Sequence, residues 1–207
     1  MELNNRHDLI NALIEKNGYK SYLEIGLDNP NTNFNHINCE HKVSVDPFEN
    51  DNGFEVDREI PEELTNRETS DSFFSHNTEK FDIVFIDGLH VEDQVGRDII
   101  NSLKCLNKGG VILCHDALPW SEDMQKVPRI QEFWLGSVWK AIAELYKQNI
   151  TYCSLEFETG IAIIQYNEKS EILEYPEPSE LTYDDYSMHK NHIMHIIDFN
   201  EFLKLYL

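Results

Sequence analysis

The stretch FDIVFIDGLHVEDQVGRDIINSLKCLNKGGVILCHD, residues 81–116, limits the fold more than any other part of the chain. Phe81 to Asp87 is a nearly continuous apolar run, the pattern of a central parallel strand covered on both faces. Val91, Val95, Ile99 and Leu103 then recur every four residues and close at Gly109-Gly110, an amphipathic helix with a glycine stop. Gly110 to Cys114 gives a second buried strand. Strand, helix and strand in that order form a parallel unit joined by a right-handed crossover.

The remainder extends this alternation. Leu9, Ile10, Leu13 and Ile14 predict a helix over residues 6–17, with Gly18 as its stop. Short strands are expected at Tyr22 to Ile25 and Lys42 to Asp46. Residues 49–80 are polar and carry no clear period. A long helix is predicted over 129–148, carrying Phe133, Trp134, Val138, Trp139, Ile142 and Leu145. Ile150 to Leu155 and Gly160 to Tyr166 then lie close enough to pair as a hairpin, and Phe199 to Tyr206 reads as a terminal helix. The expectation is one α/β domain over 1–207, with a core at about 20–166, a helical tail at 180–207, helices on both faces of the sheet and one antiparallel edge strand.

Charge narrows the function. The chain of 207 residues carries a formal charge of −21, which repels phosphate backbones and anionic membranes and favours a small or neutral substrate. The longest apolar runs fall far short of a bilayer span, and the opening MELNNRHDL has no apolar signal region. Cys39, Cys105, Cys114 and Cys153 form no C-x-x-C pair, so a reduced, cytoplasmic protein is expected.

In an open α/β sheet, ligands bind beyond the carboxyl ends of the strands. That edge here collects Glu24 and Gly26, Asp46, Asp87, His115 and Asp116. Asp46 stands about 20 residues after Gly26, where a carboxylate can accept both hydroxyls of a ribose. After Gly26 the second glycine of a nucleotide turn is replaced by Asn29-Pro30, the chemistry of a helix start. Such a turn has few free amides, which argues against a dinucleotide. In Asp87-Gly88-Leu89-His90 the imidazole is placed to take a proton from a substrate hydroxyl. Asp87, His115 and Asp116 can together hold a divalent ion, magnesium or manganese, or His115 and Asp116 can simply hydrogen-bond their turn. The loop Leu118 to Arg129 follows the site directly and is placed to cover a substrate.

With YLEIG, SVDP, FDIVFIDGLH and LNKGGVILCHD in order, residues 20–166 resemble the class I S-adenosylmethionine-dependent methyltransferases. The Asp-x-x-His followed by a later acid is similar to metal-dependent sugar O-methyltransferases. The resemblance implies a Rossmann-like sheet of about seven strands with the last antiparallel. It also implies S-adenosylmethionine held by Glu24, Gly26, Asp46 and Asp87, with Ser70 and Asp71 near the adenine. His90 would be the base and Asp87 and Asp116 metal ligands, with His115 standing where relatives carry an acid.

Three readings follow. The first is O-methylation of a small hydroxylated molecule such as a sugar or glycan precursor. The second is a catalytically inactive binding module on the same fold. The third, an NAD-linked oxidoreductase, lacks the G-x-G-x-x-G turn. The Trp-rich predicted helix is compatible with a homodimer.

Overall fold

The computed structural model describes residues 3–49, 59–148, 150–165 and 179–207. Among these, seven strands form one sheet: β1 (Ser21–Ile25), β2 (His41–Val45), β3 (Phe81–Ile86), β4 (Leu106–Cys114), β5 (Thr151–Leu155), β6 (Ile161–Gln165) and β7 (Ile196–Ile197). Their spatial order is β2-β1-β3-β4-β6-β5-β7. Strand β1 pairs in parallel with both β2 and β3, so the strand order reverses there and opens a crevice at the carboxyl edge. Only β6 runs against its neighbours β4 and β5.

The pleat divides the core in two. On β4, Ile112 and Cys114 face one side with Leu23, Val84 and Ile164, under α3 (Glu92–Cys105), α5 (Val138–Glu144) and α6 (Tyr183–Ile193). Val111 and Leu113 face the other, with Tyr22, Phe85 and Ile163, under α1 (Arg6–Asn17) and α7 (Phe199–Tyr206). Helix α1 starts where the Asn5 side chain accepts from the Asp8 amide and stops at Gly18 in the left-handed conformation. Trp139 is fully buried and packs on Tyr186 with ring centroids 4.7 Å apart. It belongs to the core and offers no subunit contact, which removes one ground for a homodimer.

The Rossmann-like class is the one expected, but three details differ. The reversed strand lies inside the sheet, because β6 inserts between β4 and β5, and the edge beyond β5 is taken by the parallel β7. Tyr166, the expected end of β6, lies outside the described residues. The helix predicted over 129–148 begins only at Val138 and ends in a 3-10 turn over Leu145–Gln148. Its first part is a loop because the amides of Leu135 and Gly136 both donate to the Met124 carbonyl, at 2.9 and 3.0 Å. Gly136 has φ 62°, and a Cβ there would overlap the His90 carbonyl. The chain is thus drawn against the β3–α3 connection instead of coiling. Within the unassigned 49–80, residues 70–76 form α2 (Ser70–His76), capped by Thr69, and Asn66 bridges Val45 at the edge of β2.

Candidate active site

The sheet edge is assembled by backbone bonds. The Gly26 amide donates to the Val45 carbonyl and the Asp87 amide to the Ile25 carbonyl, both at 2.8 Å. This clamps the ends of β1, β2 and β3 together. Gly26 has φ 90°, and a Cβ would collide with the Asp87 carbonyl, so the position requires glycine. The next tier is fixed when the His115 amide donates to the Ile86 carbonyl at 3.0 Å. Asp116 follows with φ 57°.

A cavity of about 680 Å³ opens above this edge, a size suited to one small organic ligand. Its floor carries Gly26, Asp87, His90 and Asp116, one end carries Asp46 and Ser70, and Phe133 and Trp134 form its lip. Trp134 stacks on the His90 ring at 5.5 Å and donates its indole N–H to the Lys126 carbonyl at 2.7 Å. Trp120 and Phe133, both largely exposed, pair beside it at 5.3 Å.

Charges on the floor are interlocked. Asp87 Oδ2 pairs with Arg6 at 2.6 Å, and its Oδ1 lies 3.3 Å from His90 Nε2 and 3.3 Å from His115 Nδ1. Burial opposes its charge, but the neighbouring His115 and His90 hold the carboxyl well below the usual range. His115 is 5 % exposed and spends both ring nitrogens: Nδ1 on Asp87 and on Asp116 at 3.2 Å, Nε2 on Glu158 at 3.0 Å. Burial works against its protonation, yet Asp87, Glu158 and Asp116 raise it to about 9. Glu158 is pushed up by burial and pulled down further by His115 and Arg6, to about 2. His90 Nδ1 sits 3.3 Å from Asp116 Oδ2, within ion-pair range, but its alignment makes no hydrogen bond. Burial lowers the proton affinity of His90, and Asp87 and Asp116 more than reverse this.

Of the residues singled out in the sequence, Gly26, Asp46, Ser70, Asp87, His90, His115 and Asp116 all line this one cavity. Asp46 is oriented by the Asp28 amide on Oδ2 at 3.2 Å and the Phe48 amide on Oδ1 at 2.5 Å. Two do not line it. Glu24 is buried, 2 % exposed, where Tyr22 and Asn33 hydrogen-bond its Oε2. Burial pushes it up to about 7. Asp71 faces outward in an ion pair with Arg97 at 3.1 Å. The Asn29-Pro30 start is a single 3-10 turn, Pro30–Thr32, whose Asn31 amide is taken by the Asn29 side chain. That amide is therefore spent and does not face a ligand.

Among the described residues, the grouping whose ligand atoms converge is Asp87, His90 and Asp116, all within 4.8 Å of one another. His90 thus takes the place that the sequence gave to His115, whose nitrogens are already spent. Sequence reasoning missed Arg6, Glu158, Gln94, Asp98 and Trp134. Asp98 had a signal, an acid next to Ile99 on the apolar stripe of α3. Arg6 and Glu158 had none, since their contacts cross 81 and 152 residues.

A family model described as a methyltransferase domain matches residues 23–117, from β1 to just past β4. Just under half of the chain is thus similar to a methyltransferase domain. The match spans the strands that carry Gly26, Asp46, Asp87, His90 and Asp116. The domain resembles the Podospora anserina methyltransferase PaMTH1, determined with bound SAH, at TM-score 0.55 and 16% identity over 81% of this chain and 80% of that one. A Klebsiella pneumoniae protein provisionally described as an O-methyltransferase gives 0.56 and 15%, over 81% and 82%. An O-methyltransferase of Bacillus cereus in complex with SAH gives 0.50 and 14%, over 76% and 79%. These identities establish the shared fold. No curated protein matches the sequence. Among the described residues, no helix is long and apolar enough to cross a membrane, and all four cysteines are free.

Proposed function

We propose that this methyltransferase domain binds S-adenosylmethionine in the cavity and methylates a hydroxyl of a small acceptor, with His90 as the base. The observation that carries the reading is the unpartnered His90 Nδ1 beside Asp116, on the floor of a cavity that Gly26 also lines. The cofactor supplies a methyl group on a sulfonium sulfur. Asp46, pre-oriented by two backbone amides, would accept the ribose hydroxyls. With Nε2–H directed at Asp87, neutral His90 leaves Nδ1 basic, and Nδ1 would take the acceptor's hydroxyl proton as the oxygen gains the methyl. Asp116 and Asp87 then stabilise the imidazolium, while Trp134 holds the ring and limits water. Binding both partners in line supplies much of the remaining rate. The many acidic groups at the floor and the uncharged aromatic lip suit a neutral hydroxylated acceptor such as a sugar or glycan precursor.

Asp87, His90 and Asp116 also fit a divalent cation by their oxygen and imidazole donors and their convergence. Bound there, magnesium or manganese would lower the pKa of an acceptor hydroxyl. That convergence favours a second reading, in which His90 is a ligand instead of the base. His90→Ala separates them: as the base, His90 is needed for turnover but not for retention of Mn²⁺; as a ligand, its loss weakens Mn²⁺ binding directly. Cofactor affinity equal to wild type with turnover abolished supports the active-site assignment, and unchanged turnover would remove His90 from both roles.

A further inference from the structure

Arg6 opens α1, and its guanidinium reaches the cavity floor, where it is held from two sides. Its backbone amide donates to Glu158 Oε1 at 2.8 Å and its Nε to Glu158 Oε2 at 3.0 Å. Nη1 donates to Asp87 Oδ2 at 2.6 Å and lies 3.4 Å from His115 Nδ1. Nε and Nη1 are therefore spent, while Nη2 has no partner among the described residues. Arg6 lines the cavity and its side chain is 23 % exposed, so the Nη2 edge is the part of the fork left to meet a ligand. His90 sits on the other oxygen of the same carboxylate, with Nε2 3.3 Å from Asp87 Oδ1. One aspartate thus carries an unused N–H edge on one side and the imidazole on the other, and both groups lie on the same floor.

We infer that Arg6 is a specificity-determining residue for the acceptor, and that its Nη2 edge donates to an uncharged oxygen next to the hydroxyl that meets His90. The inference rests on the reading of His90 as the group facing the acceptor hydroxyl. A guanidinium only donates, so the neighbouring group has to accept: a second hydroxyl, an ether or a carbonyl oxygen. An anionic group would gain less, because Asp87 and Glu158 already sit on the Arg6 charge and Asp116 adds a carboxylate beside His90. The same two ion pairs hold the guanidinium in place before a ligand arrives, so little side-chain freedom is lost on binding. An acceptor with no oxygen at that position would cover Nη2 and leave its N–H groups without a partner. Lysine could keep a charge on Asp87, but its compact ammonium has no second planar edge to offer.

The test uses two isomeric probes, trans-cyclohexane-1,2-diol and trans-cyclohexane-1,4-diol, which differ only in the spacing of their hydroxyls. Their affinities for the EDTA-treated full chain, saturated with S-adenosylhomocysteine, are measured by ligand-observed NMR titration. EDTA ensures that chelation by an ion cannot supply the preference. Wild type is expected to favour the 1,2-diol by about 10-fold or more, the scale of one hydrogen bond to a charged group. Arg6→Lys should bring that ratio close to one while the 1,4-diol and S-adenosylhomocysteine bind as to wild type. Equal affinities in wild type, or no binding of either diol, would overturn the inference. So would a preference that survives Arg6→Lys, since it would belong to another group. A merely structural Arg6 would weaken both diols together and leave their ratio intact, which overturns it too. Failure to bind S-adenosylhomocysteine in the first titration would instead remove the cofactor reading beneath it. Should Arg6→Lys fold poorly, the Arg6 Nε–H resonance of the ¹⁵N-labelled wild type gives a second measurement. It should shift with the 1,2-diol and not with the 1,4-diol, and an unmoved resonance would overturn the assignment.

Discussion

Glu24 sits in the sequence motif that resemblance assigns to cofactor binding, yet its carboxyl is buried beneath the sheet edge between Tyr22 and Asn33. Burial raises it from 4.5 to about 7, with the hydrogen bonds from Tyr22 and Asn33 only partly opposing. A carboxyl whose folded pKa lies above its unfolded one contributes stability that is fully present below about 4.5 and is lost as pH rises through about 7. The displacement corresponds to about 3 kcal/mol, an order-of-magnitude figure. Glu24→Gln keeps an oxygen to accept from Tyr22 and Asn33 while removing the charge. The variant should match or fall slightly below wild type near pH 5 and exceed it at pH 8 by up to about 3 kcal/mol, or roughly 6–12 °C in Tm for a chain of this size. The assay is urea unfolding of both proteins at pH 5, 6, 7 and 8, followed by cofactor titration at pH 8. A stability difference that does not change with pH would refute the buried, proton-holding Glu24. Loss of cofactor affinity in a folded Glu24→Gln protein would return Glu24 to the binding site.

Other predictions follow from the same geometry. His90→Ala should lower turnover by about 10²- to 10⁴-fold while leaving cofactor affinity unchanged in titration. Dialysis against EDTA should reduce methyl transfer and Mg²⁺ or Mn²⁺ should restore it, with Asp116→Asn requiring more metal; full activity after EDTA would remove the ion from the mechanism. Gly26→Ala should destabilise by roughly 3 kcal/mol or more, because a Cβ at φ 90° meets the Asp87 carbonyl and rigid backbone cannot give way. Denaturant melts read this, and a near-neutral result would contradict the clamp between β1 and β3. Trp134→Ala should raise the acceptor KM far more than it changes unfolding, since the ring is half-buried at the lip.

Much of this was legible because buried parallel strands and amphipathic helices write their periods directly. Residues 81–114 announce β3, α3 and β4 in that way, although α3 ends at Cys105 and the expected Gly109-Gly110 stop lies inside β4, which starts already at Leu106. Gly18 and the Phe199 to Tyr206 run mark their helix ends where the structure has them. The 129–137 stretch misled because Phe133 and Trp134 mimic a helical apolar face while forming the lip of a cavity. Gly136 was the residue that should have broken the helix. Glu24 misled through its motif: it lies inside β1, buried beside Tyr22, and only Ile25 and Gly26 at the carboxyl end of the strand reach the cavity. His115 was chosen as a ligand over His90 because spacing along the chain does not reveal which nitrogens are already paired. The Arg6–Asp87 and Arg6–Glu158 contacts leave no local trace, since each joins segments that only the finished sheet brings together.

On the proposed function, the Gly26–Asp46–Asp87 edge binds the cofactor despite the missing second glycine. Calorimetric titration of S-adenosylmethionine, and separately of NAD, into purified metal-free protein tests it most directly. One-to-one micromolar binding of S-adenosylmethionine and none of NAD is the expected result. Binding of NAD, or of neither compound, would contradict it, and the second outcome would leave the fold as a binding module for some other ligand.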